Sequence, residues 1–88
     1  MQEANLRIVN RLGLHARAAA LFVKLANKYE SSIRVLKNDQ EVDGKSIMGL
    51  LTLAAEQGSY IKIITEGRDE KELVENLSTL IQNKFNEG

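Results

Sequence analysis

The 88 residues carry twelve Lys and Arg against twelve Asp and Glu, so bulk electrostatics gives the chain nothing with which to hold a nucleic acid. It has no cysteine and a single histidine, which excludes disulfides and thiol chemistry and leaves too few ligands for a zinc site. No apolar run approaches the roughly 20 residues that span a bilayer, and residues 1–5 lack the basic and apolar regions of a signal peptide, so the expectation is one cytoplasmic domain over residues 1–88.

Residues 5–9 alternate, with Leu6 and Ile8 on one face, and predict the first strand. Arg11-Leu12-Gly13 makes a turn. Residues 16–28 predict a helix, with Ala18, Leu21, Phe22, Leu25, Ala26 and Tyr29 as its apolar stripe. Lys24 and Lys28 lie in its second half, where the helix dipole favours positive charge. Ser31-Ser32 break the pattern. Residues 33–37 predict a second strand with Ile33 and Val35 inward, Asn38-Asp39 has turn chemistry, and residues 41–43 pair back as a short third strand. Ser46 suits the N-cap of a short helix over 47–54, which Gln57-Gly58 ends. Residues 59–65 are a β-branched, alternating fourth strand. Asp69 is placed to cap a last helix, with Glu72 as its capping-box partner. Leu73, Val74, Leu77, Leu80, Ile81 and Phe85 form the buried stripe of that helix, and Asn86-Glu87-Gly88 are expected to fray. The order β-α-β-β-α-β-α, with alternating strands, predicts a two-layer α+β fold that has one wet sheet face and one face under helices.

His15 sits where the first strand hands over to the first helix. The first helical turn has backbone N–H groups without intrahelical partners, and the helix dipole adds positive potential there. Such an end is an anion site. Arg17 adds a fixed charge suited to phosphate oxygens. Neutral imidazole is a nucleophile near pH 7, so a histidine beside an anion site is suited to carrying a phosphoryl group. No base or nucleophile pair accompanies it, which argues against a direct enzyme.

Gly13-Leu14-His15-Ala16-Arg17 resembles the active-site motif of the histidine-containing phosphocarrier family, HPr, of the bacterial sugar phosphotransferase system. Length, element order and the segment Lys45-Ser46-Ile47-Met48-Gly49-Leu50-Leu51 extend the resemblance over essentially the whole chain. The resemblance implies an open-faced β-sandwich: a four-stranded antiparallel sheet in the order 1-4-2-3 with three helices on one face. It implies that His15 accepts a phosphoryl group at Nδ1 from phosphorylated Enzyme I and passes it to an enzyme IIA component for carbohydrate uptake. The chain would then be a carrier, a substrate of partner phosphotransferases and not an enzyme, with no metal or cofactor. Arg17 would orient and screen the phosphate, which the backbone N–H groups of Ala16, Arg17 and Ala18 would hold. Ala18 stands where the family usually has proline, and therefore has an N–H that proline lacks. The opening Asn10-Arg11-Leu12-Gly13 is more similar to the nitrogen-related paralogue NPr.

Gly44-Lys45-Ser46 is similar to the end of a Walker A loop, but Asp39 stands where that loop needs its first glycine, so no nucleotide site follows. Within the HPr resemblance, Ser46-Ile47-Met48-Gly49 looks like the segment phosphorylated by HPr kinase/phosphorylase in some bacteria. A phosphate on Ser46 is tolerated at a helix N-terminus and puts charge beside Ile47, Met48 and Leu51. Leu50, Leu53 and Ala54 suffice for the core contacts of that helix. Ile47, Met48 and Leu51, with Ala16, Ala20 and Lys24, are then expected to form a docking surface near His15. A monomer follows for a carrier that presents one small face to several partners, regulatory proteins among them. Two other readings stand beside this one: a nitrogen-related or purely regulatory phosphoprotein, and a small binding module. Two Tyr and two Phe give the last few stacking surfaces for RNA.

Overall fold

The computed structural model describes residues 1–87. Its elements in chain order are β1 (Gln2–Arg7), α1 (Ala16–Ala26), β2 (Ser32–Lys37), β3 (Gln40–Asp43), α2 (Ile47–Thr52), β4 (Tyr60–Glu66) and α3 (Glu70–Gln82), followed by a 3-10 turn at Lys84–Asn86. The four strands form one antiparallel sheet in the order β1-β4-β2-β3. The most β-branched segment takes the central place. β4 pairs with β1 from Gln2↔Thr65 to Arg7↔Tyr60 and with β2 from Ser32↔Glu66 to Leu36↔Lys62. Leu6, Ile8, Ile33, Val35, Ile61 and Ile63 bury one face of the sheet. Against them pack Phe22 and Ala26 of α1, Leu50 of α2, and Leu73, Leu77 and Ile81 of α3. The fold is therefore the expected α+β sandwich with three helices. None of the described helices is long and apolar enough to cross a membrane.

Several boundaries differ from the sequence reading, each for a physical reason. β1 covers Gln2–Arg7, not 5–9, because the polar residues at its start pair fully with β4. Pairing still continues past it, since the Ile8 N–H donates to the Ser59 carbonyl and the Gly58 N–H to the Ile8 carbonyl, both at 2.8 Å. α1 stops at Ala26, and the Lys28 and Tyr29 N–H groups tighten onto the Leu25 and Ala26 carbonyls at 3.1 and 3.2 Å. Its buried face includes Ala19 and Val23, while Leu21, Leu25 and Tyr29 are only partly covered. α2 ends at Thr52. Ala54 takes a left-handed φ of 49° and is exposed, and Ala55 is buried in its stead.

The last helix departs most. Asp69 stands at the N-cap position but its carboxylate makes no capping bond. It accepts instead from the Glu30 and Ser31 N–H groups, both at 3.0 Å, and from the Ser31 hydroxyl. Three donors on the α1–β2 connection outcompete one helical N–H. Glu70, not Glu72, reaches back, accepting from the Gly67 N–H at 3.0 Å. Phe85 is buried, but from the 3-10 turn beyond α3. Asn86 and Glu87 are not a frayed end, because the Glu87 carboxylate accepts from Asn10 Nδ2 at 3.0 Å. Gly88 lies outside the described residues.

Candidate functional site

The strand-to-helix connection ahead of α1 is built around Gly13. Its φ is +69°, and a Cβ there would lie 2.6 Å from the Ala55 carbonyl oxygen and 2.8 Å from the Glu56 Cα. Only glycine fits both the conformation and the space. The adjoining Leu14 N–H donates to that Ala55 carbonyl at 2.8 Å, and the Leu14 side chain is buried. Asn10, wholly buried, donates from Nδ2 to the Gly13 carbonyl at 2.7 Å. The loop after α2 and the first turn thus fix the backbone on which His15 stands.

His15 is the N-cap of α1, with extended backbone at φ −81° and ψ −179°. Its carbonyl takes the first helical bond, from the Ala19 N–H at 2.8 Å. Its side chain makes no capping bond, and the first turn holds no acidic residue. The Ala16, Arg17 and Ala18 N–H groups precede that first helical bond, and the positive helix end meets no carboxylate of its own first turn. The imidazole is 30 % exposed. It lies between two surface hollows: one of about 300 Å³ shared with Arg17, Ala18, Phe85 and Glu87, and one of about 210 Å³ shared with Leu14, Ala54 and Glu56. Histidine and Arg17 therefore border one hollow, open to an approaching group.

Two residues at this site carry no role in the sequence reading. Glu87 places Oε2 3.6 Å from His15 Nε2. Its carboxyl is held below the usual carboxylate range, first by the Asn10 side-chain bond and then by the Leu12 and Arg11 N–H groups, against a raising contribution from desolvation. Asn10 is the second. It links Gly13 to Glu87, and its buried Oδ1 has no partner among the described residues. No local signal marks either one, because the contact joins residues 77 apart.

Ser46 caps α2 as its sequence context suggests, accepting from the Gly49 N–H at 3.0 Å. Of the residues expected to form a docking face, Ala16, Ala20 and Lys24 are exposed on α1. Ile47 and Met48 are exposed on α2, Met48 by 73 %, while Leu51 is half-buried against the core. α1 and α2 are in contact, so these residues lie on neighbouring helices. Gly49 has an internal reason to be glycine: a Cβ there would press to 3.3 Å on both Ser46 Oγ and Val42 Cβ.

Comparison with known proteins agrees with this geometry. The family described as "PTS HPr component phosphorylation site" matches residues 2–83. The chain belongs to the HPr family of phosphocarrier proteins. It is 47 % identical over 88 residues to the phosphocarrier protein HPr of Neisseria meningitidis serogroup A, covering 100 % of this chain and 99 % of that one. The crystal structure of HPr from Thermoanaerobacter tengcongensis superposes with a TM-score of 0.96 at 46 % identity, again over 100 % and 99 % of the two chains. A crystal structure of an HPr dimer from the same organism matches with a TM-score of 0.79 at 47 % identity, over 99 % of this chain and 100 % of that one. By family the chain is a phosphocarrier protein.

Proposed function

We propose that the chain carries a phosphoryl group on His15 Nδ1, taking it from phosphorylated Enzyme I and giving it to an enzyme IIA component for carbohydrate uptake. The observation that carries this reading is the N-terminus of α1, left uncapped by His15, which is itself its N-cap residue. In the acceptance step the donor's N–P bond breaks and a bond to Nδ1 forms. The phosphoryl oxygens then fall toward the Ala16, Arg17 and Ala18 N–H groups and the Arg17 guanidinium, all preorganised before transfer. Ala16, Ala20, Lys24, Ile47, Met48 and Leu51 form the surface on which each partner docks. The carrier works in the cytoplasm as a monomer, although two relatives have been crystallised as dimers.

Ser46 is the regulatory position in this reading. HPr kinase/phosphorylase would add a phosphate at the start of α2, where the helix dipole tolerates it. The added charge lies next to exposed Ile47 and Met48 and weakens docking of Enzyme I without unfolding the domain. A second reading keeps the chemistry and changes the partners. The opening Asn10-Arg11-Leu12-Gly13 favours a nitrogen-related branch with regulatory proteins as readers.

One assay separates these readings. The chain is incubated with phosphoenolpyruvate and the Enzyme I of each branch separately, and intact mass is read before and after mild acid. An acid-labile phosphate, lost entirely in His15→Ala, is expected, and the faster donor names the branch. A phosphate that survives in His15→Ala overturns the assignment. Ser46→Asp is expected to accept more slowly in the same assay, and acceptance at the wild-type rate removes Ser46 from the account.

A further inference from the structure

Glu87 reaches His15 from the far end of the chain along a path that the fold holds under strain. Past α3 the backbone turns through Lys84, Phe85 and Asn86 at φ of 59°, 53° and 59°. Left-handed backbone is unfavourable for residues with a Cβ, and three in succession require an anchor. Phe85, 3 % exposed, supplies it by burying its ring in the core. The Glu87 carboxylate is then fixed by Asn10 Nδ2 at 3.0 Å, a group that is itself buried and tied to Gly13. Its position therefore depends on the fold and not on His15.

That placement matters for the proton on the ring. A neutral imidazole has one N–H, and a carboxylate facing Nε2 favours the tautomer that leaves the Nδ1 lone pair free. When Nδ1 takes a phosphoryl group and Nε2 keeps its proton, the ring becomes a cation. In onward transfer the N–P bond breaks and its electron pair returns to Nδ1. With the proton still on Nε2 the ring departs as neutral imidazole. With that proton lost to solvent it would have to depart as imidazolate, a far poorer leaving group. Neither step gains or loses a proton, so no further reactant is needed.

We propose that Glu87 is a positioning residue for phosphoryl release, holding the proton on Nε2 of phosphorylated His15 so that the ring leaves neutral. The inference rests on the reading of His15 as phosphoryl acceptor. Among the described residues, three charged groups border the hollows beside the ring. Arg17 from α1 borders one hollow with Glu87 from the C-terminal segment, and Glu56 from the loop after α2 borders the other. Arg17 disfavours a ring cation and the two carboxylates favour it, and of these Glu87 is the one in ion-pair range, at 3.6 Å.

The experiment compares wild type with Glu87→Gln, which keeps the shape and a hydrogen-bond acceptor but removes the charge. Each is phosphorylated by Enzyme I, and release to an enzyme IIA component is timed from pH 5 to pH 9. The pH at which release falls to half its plateau is expected to drop in Glu87→Gln, because a carboxylate 3.6 Å from Nε2 favours the ring cation and the amide does not, with acceptance slowed less than release. Superimposable pH profiles overturn the role of Glu87. So does an equal slowing of acceptance and release at every pH together with a lowered melting temperature, which marks Glu87 as structural. A wild-type chain that takes no acid-labile phosphate overturns the reading of His15 itself.

Discussion

The two ends of α1 treat their polar groups in opposite ways. At the N-terminal end His15 leaves its own helix uncapped, and the N–H groups of the first turn precede any intrahelical bond. Just past the C-terminal end, polar groups are paired across elements. Asp69 accepts from Glu30 and twice from Ser31, Lys45 Nζ donates to the Tyr29 carbonyl at 2.8 Å, and Asn76 bonds the Tyr29 hydroxyl. Ser31 is 1 % exposed and lies against Gly67. A satisfied donor has no attraction left for a ligand, and an unsatisfied one contributes little to folding. The helix thus leaves its donors uncapped at one end, where the proposed function puts the phosphate, and has its tertiary locking at the other. Substitutions at the two ends are expected to separate cleanly into losses of transfer and losses of stability.

The largest separation is expected from Gly67→Ala at the locked end. Gly67 has φ +146°, and a Cβ there would lie 2.7 Å from both the Cα and the Oγ of Ser31. Neither the backbone angle nor the contact can relax without moving the α1–β2 turn. A loss of about 2–4 kcal/mol is expected from urea denaturation. His15 is expected to be phosphorylated normally in whatever fraction stays folded. A slowed transfer rate in fully folded Gly67→Ala would mean that the two ends are coupled through α1.

Arg17→Ala tests the open end. The arginine is exposed, so its removal leaves the core intact. A charged hydrogen bond to phosphate is worth about 1.5–3 kcal/mol, which at tenfold per 1.4 kcal/mol slows transfer by about 10- to 100-fold. The melting temperature is expected to stay within about 2 °C of wild type, as for surface changes generally. A large drop in melting temperature would give Arg17 a structural role and make the two ends of α1 alike.

The open end was the more legible of the two in the sequence. A strand, a glycine turn, a histidine and an alanine-rich helix are contiguous, so residues 5–28 carry most of the site by themselves. The resemblance of Gly13 to Arg17 supplied the strand order, which periodicity cannot, because alternation says which face a residue takes and not which strand lies beside it. The locked end reads misleadingly. Asp69 followed by Glu72 has the spelling of a capping box, but the donors that win it come from Glu30 and Ser31, which no local pattern reveals. Glu87 was illegible for a related reason. The turn that delivers it uses left-handed Lys84, Phe85 and Asn86 with no glycine to announce it.

The smallest and most specific effect concerns acid. Asp69 is held below its ordinary value of 3.8, chiefly by the Ser31 hydroxyl bond and further by the Glu30 and Ser31 N–H groups, with desolvation opposing. A carboxyl whose folded value is depressed binds fewer protons in the folded state than in the unfolded one. Its stabilising contribution is therefore complete above pH 4 or so and disappears as the pH falls through the depressed folded value. In Asp69→Asn that contribution is absent at every pH. The variant is expected to be less stable than wild type at pH 7, with the difference narrowing steadily on acidification below about pH 4. Glu70, beside the Met1 amino group, and Glu87, held by Asn10, are depressed as well, so both proteins keep some acid sensitivity. Urea midpoints measured from pH 7 to pH 2 give the test. Curves that run parallel throughout would mean that the bonds to Ser31 and Glu30 do not depend on the Asp69 charge, and that the locked end is held by Gly67 and Ser31 packing alone.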